Sequence, residues 1–295
     1  MSRQKSKKAE PVRLAVIGGS GLYQLDGAAD VKEVRVKTPF GAPSDALILA
    51  TVSGVRVAFL PRHGRGHKLT PGEVPARANI WALKSLGVER IVSVSAVGSL
   101  REELVPRHFV LPDQLADETK GRPSTFFGKG VVAHVAFAHP FCADMASLLH
   151  GQALEAGIVA HAGGTYCCME GPLFSTKAES LMHRQLGYSI IGMTASPEAK
   201  LAREAEICYQ PVALVTDYDC WKEEDHVSTE KVIEHLMANV GNARRLLGAA
   251  LPKLAALPRR CPCASALKGA VFTDPKAMNP KTKKTLWPLI GKYQR

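Results

Sequence analysis

An α/β fold is what this 295-residue sequence predicts, and three observations carry the expectation. Short apolar runs of strand character alternate along the chain with segments of helical apolar spacing. Several of those runs end in polar, glycine-bearing turns, the arrangement that lets open α/β sheets gather a site at their strand ends. The composition, 46% hydrophobic and 22% charged with 25 Gly and 19 Pro, suits a globular chain with a sizeable core and excludes fibrous and disordered classes.

Taken in order, residues 1–11 read as a disordered basic tail, and the first strand runs from Arg13 to Ile17 before Gly18-Gly19-Ser20-Gly21. Ala46 to Val52 and Arg56 to Leu60, parted at Gly54, read as a hairpin, and Leu60 leads into the cation-dense turn from Pro61 to His67. Apolar spacing over Ala76 to Leu86 predicts a helix that Gly87 terminates. Arg90 to Val94 is a β-branched strand ending in the turn Ser95-Ala96-Val97-Gly98-Ser99. Further strands are read at Phe109 to Pro112, Gly130 to Ala133, Ser189 to Gly192 and Val212 to Thr216. Helices are read at Pro140 to Ala156, Thr176 to Leu186 and Pro197 to Ile207, and from Thr229 to Leu247. The division is one domain over 12–252, then a loosely ordered basic extension over 253–295.

The net charge of +11 would suit a nucleic-acid partner, but its distribution argues otherwise. The first 13 residues carry +4 and those from Lys253 onward carry +9, so subtracting both from +11 leaves −2 for the body. The basic residues therefore read as solvated tails, and specific nucleic-acid binding is not expected. No run approaches the roughly 20 apolar residues that span a bilayer, and Leu14 to Ile17 is too short for a signal-peptide core. A cytoplasmic protein with no membrane contact is the expectation. The seven cysteines are too sparse for a disulfide scaffold, and Cys261-Pro262-Cys263 has no Cys or His pair nearby in sequence to complete a zinc site.

Four polar clusters stand at strand ends. Gly18-Gly19-Ser20-Gly21 lets backbone amides and the Ser20 hydroxyl approach an anion, but lacks the spacing of a dinucleotide fingerprint. Arg62 and His63 add a fixed cation and a donor suited to a small oxyanion. Ser95 and Ala96 offer a hydroxyl and amides after a buried strand. The fourth cluster, Thr216-Asp217-Tyr218-Asp219-Cys220-Trp221, sets two carboxylates at alternate positions, pointing the same way if the strand persists. No other carboxylate or histidine clusters with them in sequence, so a metal pair is disfavoured.

Together these segments resemble the 5'-methylthioadenosine phosphorylases, trimeric relatives of the 6-oxopurine nucleoside phosphorylases. The likeness runs from about Leu14 to Leu247 and is most specific at Pro61-Arg62-His63-Gly64, Ala78 to Lys84, Glu170-Gly171-Pro172 with Phe174-Ser175, Gly192-Met193-Thr194 and Thr216 to Lys222. It implies a single α/β phosphorylase domain with a central mixed sheet or barrel flanked by helices, a homotrimer, and no organic cofactor or metal. Inorganic phosphate and a purine nucleoside would be the small-molecule partners. By the resemblance Ser20, Arg62, His63, Ser95, Ala96 and Thr194 surround phosphate. Met193 lies beneath the ribose, Phe174 and Ser175 lie beside the purine, and Asp217 and Asp219 face its edge as the catalytic pair.

Cleavage of an N-glycosidic bond builds positive charge on the ribose and negative charge on the departing base, so phosphate on one side and a proton donor on the other are what the chemistry needs. Asp217 either donates to N7 or accepts from the 6-amino group, with Asp219 fixing the amino edge. Donation requires an environment that raises its pKa. The oxopurine enzymes carry Asn where Asp217 lies, which favours adenine here and makes an oxopurine or 5'-methylthioinosine phosphorylase the alternative. At the 5' end the family positions hold Thr229 and Val232, so adenosine stays open beside the methylthio nucleoside, and His134 matches a residue that reaches the 5' group from a neighbouring subunit.

Overall fold

The computed structural model describes residues 12–19, 27–222 and 229–294, with the backbone alone at 229–232. Among them the strands are β1 (Leu14–Gly18), β2 (Ala29–Val34), β3 (Leu47–Val52), β4 (Val55–Pro61), β5 (Arg90–Ser99), β6 (Phe109–Leu111), β7 (Gln114–Asp117), β8 (Ala160–Ala162), β9 (Thr165–Cys168), β10 (Ile190–Gly192) and β11 (Cys208–Asp217). The helices are α1 (Ala76–Ser85), α2 (Ala143–Glu155), α3 (Lys177–Gln185), α4 (Ala195–Glu204), α5 (Thr229–Ala256) and α6 (Pro280–Ile290). All eleven strands join one mixed sheet, in accord with the fold class expected.

The central strands are apolar on both faces because helices cover both. Leu14 and Val16 of β1 and Val57 and Phe59 of β4 pack with α2 and α5 through Met145, Leu149, Leu246 and Leu251. The alternate residues, Ile17 of β1 and Leu60 of β4, pack on the other face with α1, α4 and α6 through Ile80, Trp81, Leu201 and Leu289. The period of two along each strand thus feeds two separate cores. At the end of α1, Gly87 takes φ +91° while Leu86 and Gly87 donate to Ala82, Leu83 and Lys84 carbonyls, so the helix stops where Gly87 was read to terminate it.

Strand β5 decides where the site opens. One edge pairs in parallel with β11 from Arg90 through Gly98. The other edge pairs with β1 only as far as Ser93, and then antiparallel with β10 at Gly98 and Ser99. Between those partners the edge from Val94 to Val97 has no strand beside it among the described residues. Backbone groups normally consumed by a ladder are thereby turned toward a cleft.

Some elements differ from the sequence reading. Ser95 to Ser99 continues β5 instead of forming a turn, because β11 and β10 supply partners. Gly130 to Ala133 forms only isolated bridges, Gly128 to Val131 and Ala133 to Val271, so it is no strand. Strands β2 and β7 to β9 were not read at all: β2 is largely exposed and the others are three or four residues long, so none has a strong apolar period. The extension beyond residue 252 is not loose. Leu286, Leu289 and Ile290, spaced along one face of α6, and Leu267 are fully buried in the core cluster, each burial worth about 1.5–3 kcal/mol. Asn279 caps α6 by accepting from the Thr282 amide.

Candidate functional site

A cavity of about 360 Å³ lies in the gap beside β5 and is lined by residues from the ends of β1, β4, β10 and β11. Of the residues singled out in the sequence, Arg62, His63, Ser95 and Ala96 line it, as do Phe174, Met193, Thr194, Asp217 and Asp219. Ser20 lies outside the described residues, next to the lining residue Gly19. Thr229 and Val232 begin α5, and their side chains are also outside them. Ser175 is not in the lining: its hydroxyl faces Met169 Sδ at 3.8 Å and its carbonyl accepts from Cys220 Sγ. His134 stands apart in this chain, edge-on to the Phe272 ring.

At one end, Arg62 follows β4 and its amide donates to the Gly18 carbonyl at 2.9 Å, which ties this loop to the end of β1. The guanidinium is buried and bidentate with Glu198 of α4, at 2.6 and 3.2 Å, and also donates to the Val94 carbonyl and to Ser93 Oγ. The sequence reading of Arg62 as a fixed cation needs this correction: most of its donors are already committed, and Glu198 cancels its charge locally. Glu198 further accepts from Ser93 Oγ and Tyr209 Oη, which keeps a buried carboxylate fully bonded. His63 is likewise no cation. Burial and the neighbouring Arg62 push its pKa down to about 4, and its Nδ1 donates to the Leu69 carbonyl at 2.8 Å. In the neutral ring Nε2 is then the acceptor, so an arriving anion must bring a proton or draw one onto this nitrogen.

Among the described residues Thr194 Oγ1 has no hydrogen-bond partner; it is buried and lines the cavity, an arrangement that suits a ligand acceptor. Next to it is Tyr166 of β9, whose buried hydroxyl faces the Thr194 and Ser95 side chains and whose pKa burial pushes up to about 12. A Cβ on Gly192 would stand 2.1 Å from that oxygen. Gly192→Ala is therefore expected to lose about 1–3 kcal/mol of stability by overpacking. Because Tyr166→Phe removes the nearest clashing atom and leaves Cζ at 2.8 Å, denaturation of the single and double variants should show partial positive coupling; additive losses would exclude the hydroxyl contact as the cause.

At the other end β11 bulges between Val215 and Asp217 as it leaves β5, and its chain turns through Asp219 at φ +53°. The two acids reach the same cavity through that bulge and left-handed turn, not by strand alternation as read. Asp217 accepts from Thr216 Oγ1 at 2.7 Å and from the Asp219 amide at 2.8 Å. Burial still raises its pKa against those bonds, and the Asp219 charge adds to the rise. Asp219 Oδ2 is buried with no partner among the described residues. Trp221 donates to the Ser99 carbonyl and Tyr218 to that of Glu102, which fixes the turn on the end of β5. Gly98 must remain small, since a Cβ there would stand 3.0 Å from Asp217 Oδ1.

Several contributors escaped the sequence reading. Glu198 lies in a segment read for helix alone, and Tyr166 in β9, which was not read. Arg122 binds Glu170 and the Met193 and Ser196 carbonyls, holding the Met193 loop in place. Leu236 and Val240 of α5 present an apolar flank to the cavity; their spacing of four after Val232 was the available signal. The cavity thus joins an anion-ready end, an apolar flank and two acids, Asp219 buried and Asp217 half-buried.

Residues 13–252 match the family model of the phosphorylase superfamily. The chain is 56% identical to an S-methyl-5'-thioadenosine phosphorylase of Geobacter sulfurreducens, covering 95% of this chain and 98% of that one. Among solved structures, a methylthioadenosine phosphorylase from an Antarctic soil metagenomic library superposes with a TM-score of 0.91 at 50% identity, covering 94% of this chain and 98% of the other. A methylthioadenosine phosphorylase from Schistosoma mansoni in complex with adenine superposes with a TM-score of 0.82 at 37% identity, covering 88% and 99%. Likeness that spans the sheet, the bulged acid turn and the loops around the cavity is a likeness of the whole molecule, and the chain belongs to the phosphorylase superfamily.

Proposed function

We propose that this chain is a pentosyltransferase that cleaves 5'-methylthioadenosine with inorganic phosphate, releasing adenine and 5-methylthioribose 1-phosphate in purine and methionine salvage. The observation that carries this reading is a single cavity with half-buried Asp217 and buried Asp219 at one end, Asp217 with a raised pKa, and at the other the open β5 edge with Thr194, whose hydroxyl has no partner among the described residues. The names of the relatives support it. A phosphate oxygen bonds to C1', the C1'–N9 bond breaks, and its electron pair leaves with the purine. Asp217 supplies a proton or strong hydrogen bond at N7, and Asp219 holds the amino edge. Arg62, His63, Thr194, the Ser95 hydroxyl and the Ala96 amide receive phosphate, with Ser20 completing the set, and Met193 supports the ribose while Phe174 borders the base and Ser175 stands behind it against Met169.

Leu236 and Val240 favour an apolar 5' group, in line with Thr229 and Val232 at the start of the same helix. We place the enzyme in the cytoplasm as a homotrimer in which a neighbour's copy of His134 closes the 5' end, and we read residues 12–252 as the catalytic domain. Among the described residues no helix is long and apolar enough to cross a membrane. Phosphorolysis assayed on 5'-methylthioadenosine, adenosine and inosine tests the assignment. Adenine release from the methylthio nucleoside should require phosphate and exceed turnover of inosine. Base release without phosphate, or preference for inosine, would overturn it.

A further inference from the structure

We propose that Cys142, Cys208, Cys261 and Cys263 form a structural zinc site that fastens the C-terminal extension to the end of the sheet opposite the cavity. All four sulfurs lie within 4.8 Å of one another. A tetrahedral tetrathiolate with Zn–S near 2.3 Å sets its sulfurs about 3.8 Å apart, so the cluster needs little adjustment to close on one ion. Cys208 Sγ and Cys261 Sγ stand 3.3 Å apart, well beyond the roughly 2.05 Å of a disulfide. In sequence the Cys261-Pro262-Cys263 pair looked isolated; the fold delivers its partners from 53 and 119 residues upstream.

The scaffold holds the ligands without the ion. Cys142 caps α2, and its amide donates to the Tyr209 carbonyl at 3.0 Å, which sets it beside Cys208 at the start of β11. The Cys208 amide donates to the Glu89 carbonyl at 2.9 Å. Cys261 and Cys263 come from a single 3-10 turn over Pro262–Ser265. Cys142, Cys208 and Cys263 are buried and Cys261 is partly so, in apolar surroundings that include Leu254 and Leu257. Four thiolates on Zn²⁺ leave a net charge of −2. Arg259 lies beside Cys208, and its buried Nε has no partner among the described residues, so it is positioned to answer that charge.

Four protein ligands leave no open coordination position, which marks the site as structural. Its location agrees. Cys208 and Asp217 are opposite ends of β11, about 30 Å apart at some 3.3 Å per residue. What the ion would secure is the turn leading to Leu267 and α6, whose apolar residues complete one of the two cores.

Elemental analysis of the full chain, purified under reducing conditions without added metal, is expected to find about one zinc per chain. Exchange with cobalt should give the visible and thiolate charge-transfer bands of a tetrahedral tetrathiolate. Cys261→Ser should lose the metal and melt several degrees lower, while Cys263→His, which keeps four ligands, should retain it; near-ultraviolet circular dichroism checks that both variants fold. Chain without zinc and without the cobalt bands overturns the proposal, whether its four thiols titrate as free or mass spectrometry finds them paired in disulfides.

Discussion

Asp217→Asn is expected to lower kcat for phosphorolysis of 5'-methylthioadenosine by about 10²–10⁴-fold, the range for losing a general acid, or about 3–5 kcal/mol at 1.36 kcal/mol per tenfold. Asparagine preserves the shape, and its oxygen still accepts from the Asp219 amide, so KM for phosphate should change little. The raised pKa gives the parent a pH signature. Donation needs the protonated carboxyl, and burial keeps the proton on Asp217 above the usual value of 3.8. Activity due to this group is therefore lost as pH rises through its raised pKa. Stability follows the same window. The unfolded carboxyl releases its proton near 3.8 while the folded one still holds it, so the folded state loses stability as pH rises from there to the raised value. The variant escapes that cost and should melt higher than the parent above the window. Thermal melts against pH, run beside initial rates, check both halves, and unchanged turnover would remove Asp217 from the chemistry.

Glu198→Ala should bring the largest loss of stability, about 3–5 kcal/mol, because it strands the buried Arg62 cation. Tyr209 Oη and Ser93 Oγ would lose an acceptor at the same time. Chemical denaturation measures the loss. Glu198→Gln keeps the volume and several hydrogen bonds but leaves the guanidinium charge uncancelled, so added phosphate should raise its melting temperature more than it raises that of the parent. A phosphate shift equal to the parent's would mean that Arg62 does not face the anion. The experiment separates two functions of one residue, since in the parent Arg62 is first a partner of Glu198 and only then part of the cavity wall.

Local order was legible in the chain because strand and helix periods are properties of neighbouring residues. Leu14 to Ile17 and Ala76 to Leu86 emerged from their apolar spacing and their glycine stops, and the helix from Thr229, read to Leu247, from its spacing alone, although it runs on to Ala256. The clusters at Arg62, Ser95, Thr194 and Asp217 were legible for a related reason: polar, glycine-bearing turns at strand ends are where an α/β sheet frees its backbone groups. By itself the sequence determined the fold class and which residue types stand at the strand ends.

Only the tertiary structure decided what those residues are to one another. Glu198 meets Arg62 across 136 positions, and no period or motif links them. The edge of β5 is open because β1 ends and β10 begins at different heights along it, which depends on how the sheet assembles. Asp219 reaches the cavity through a bulge and a left-handed turn, and Cys142 and Cys208 reach the Cys261-Cys263 pair because α2, β11 and the extension pack at one corner. Which side chains share a site is set by burial of apolar faces between elements distant in sequence, and protonation then follows from that burial.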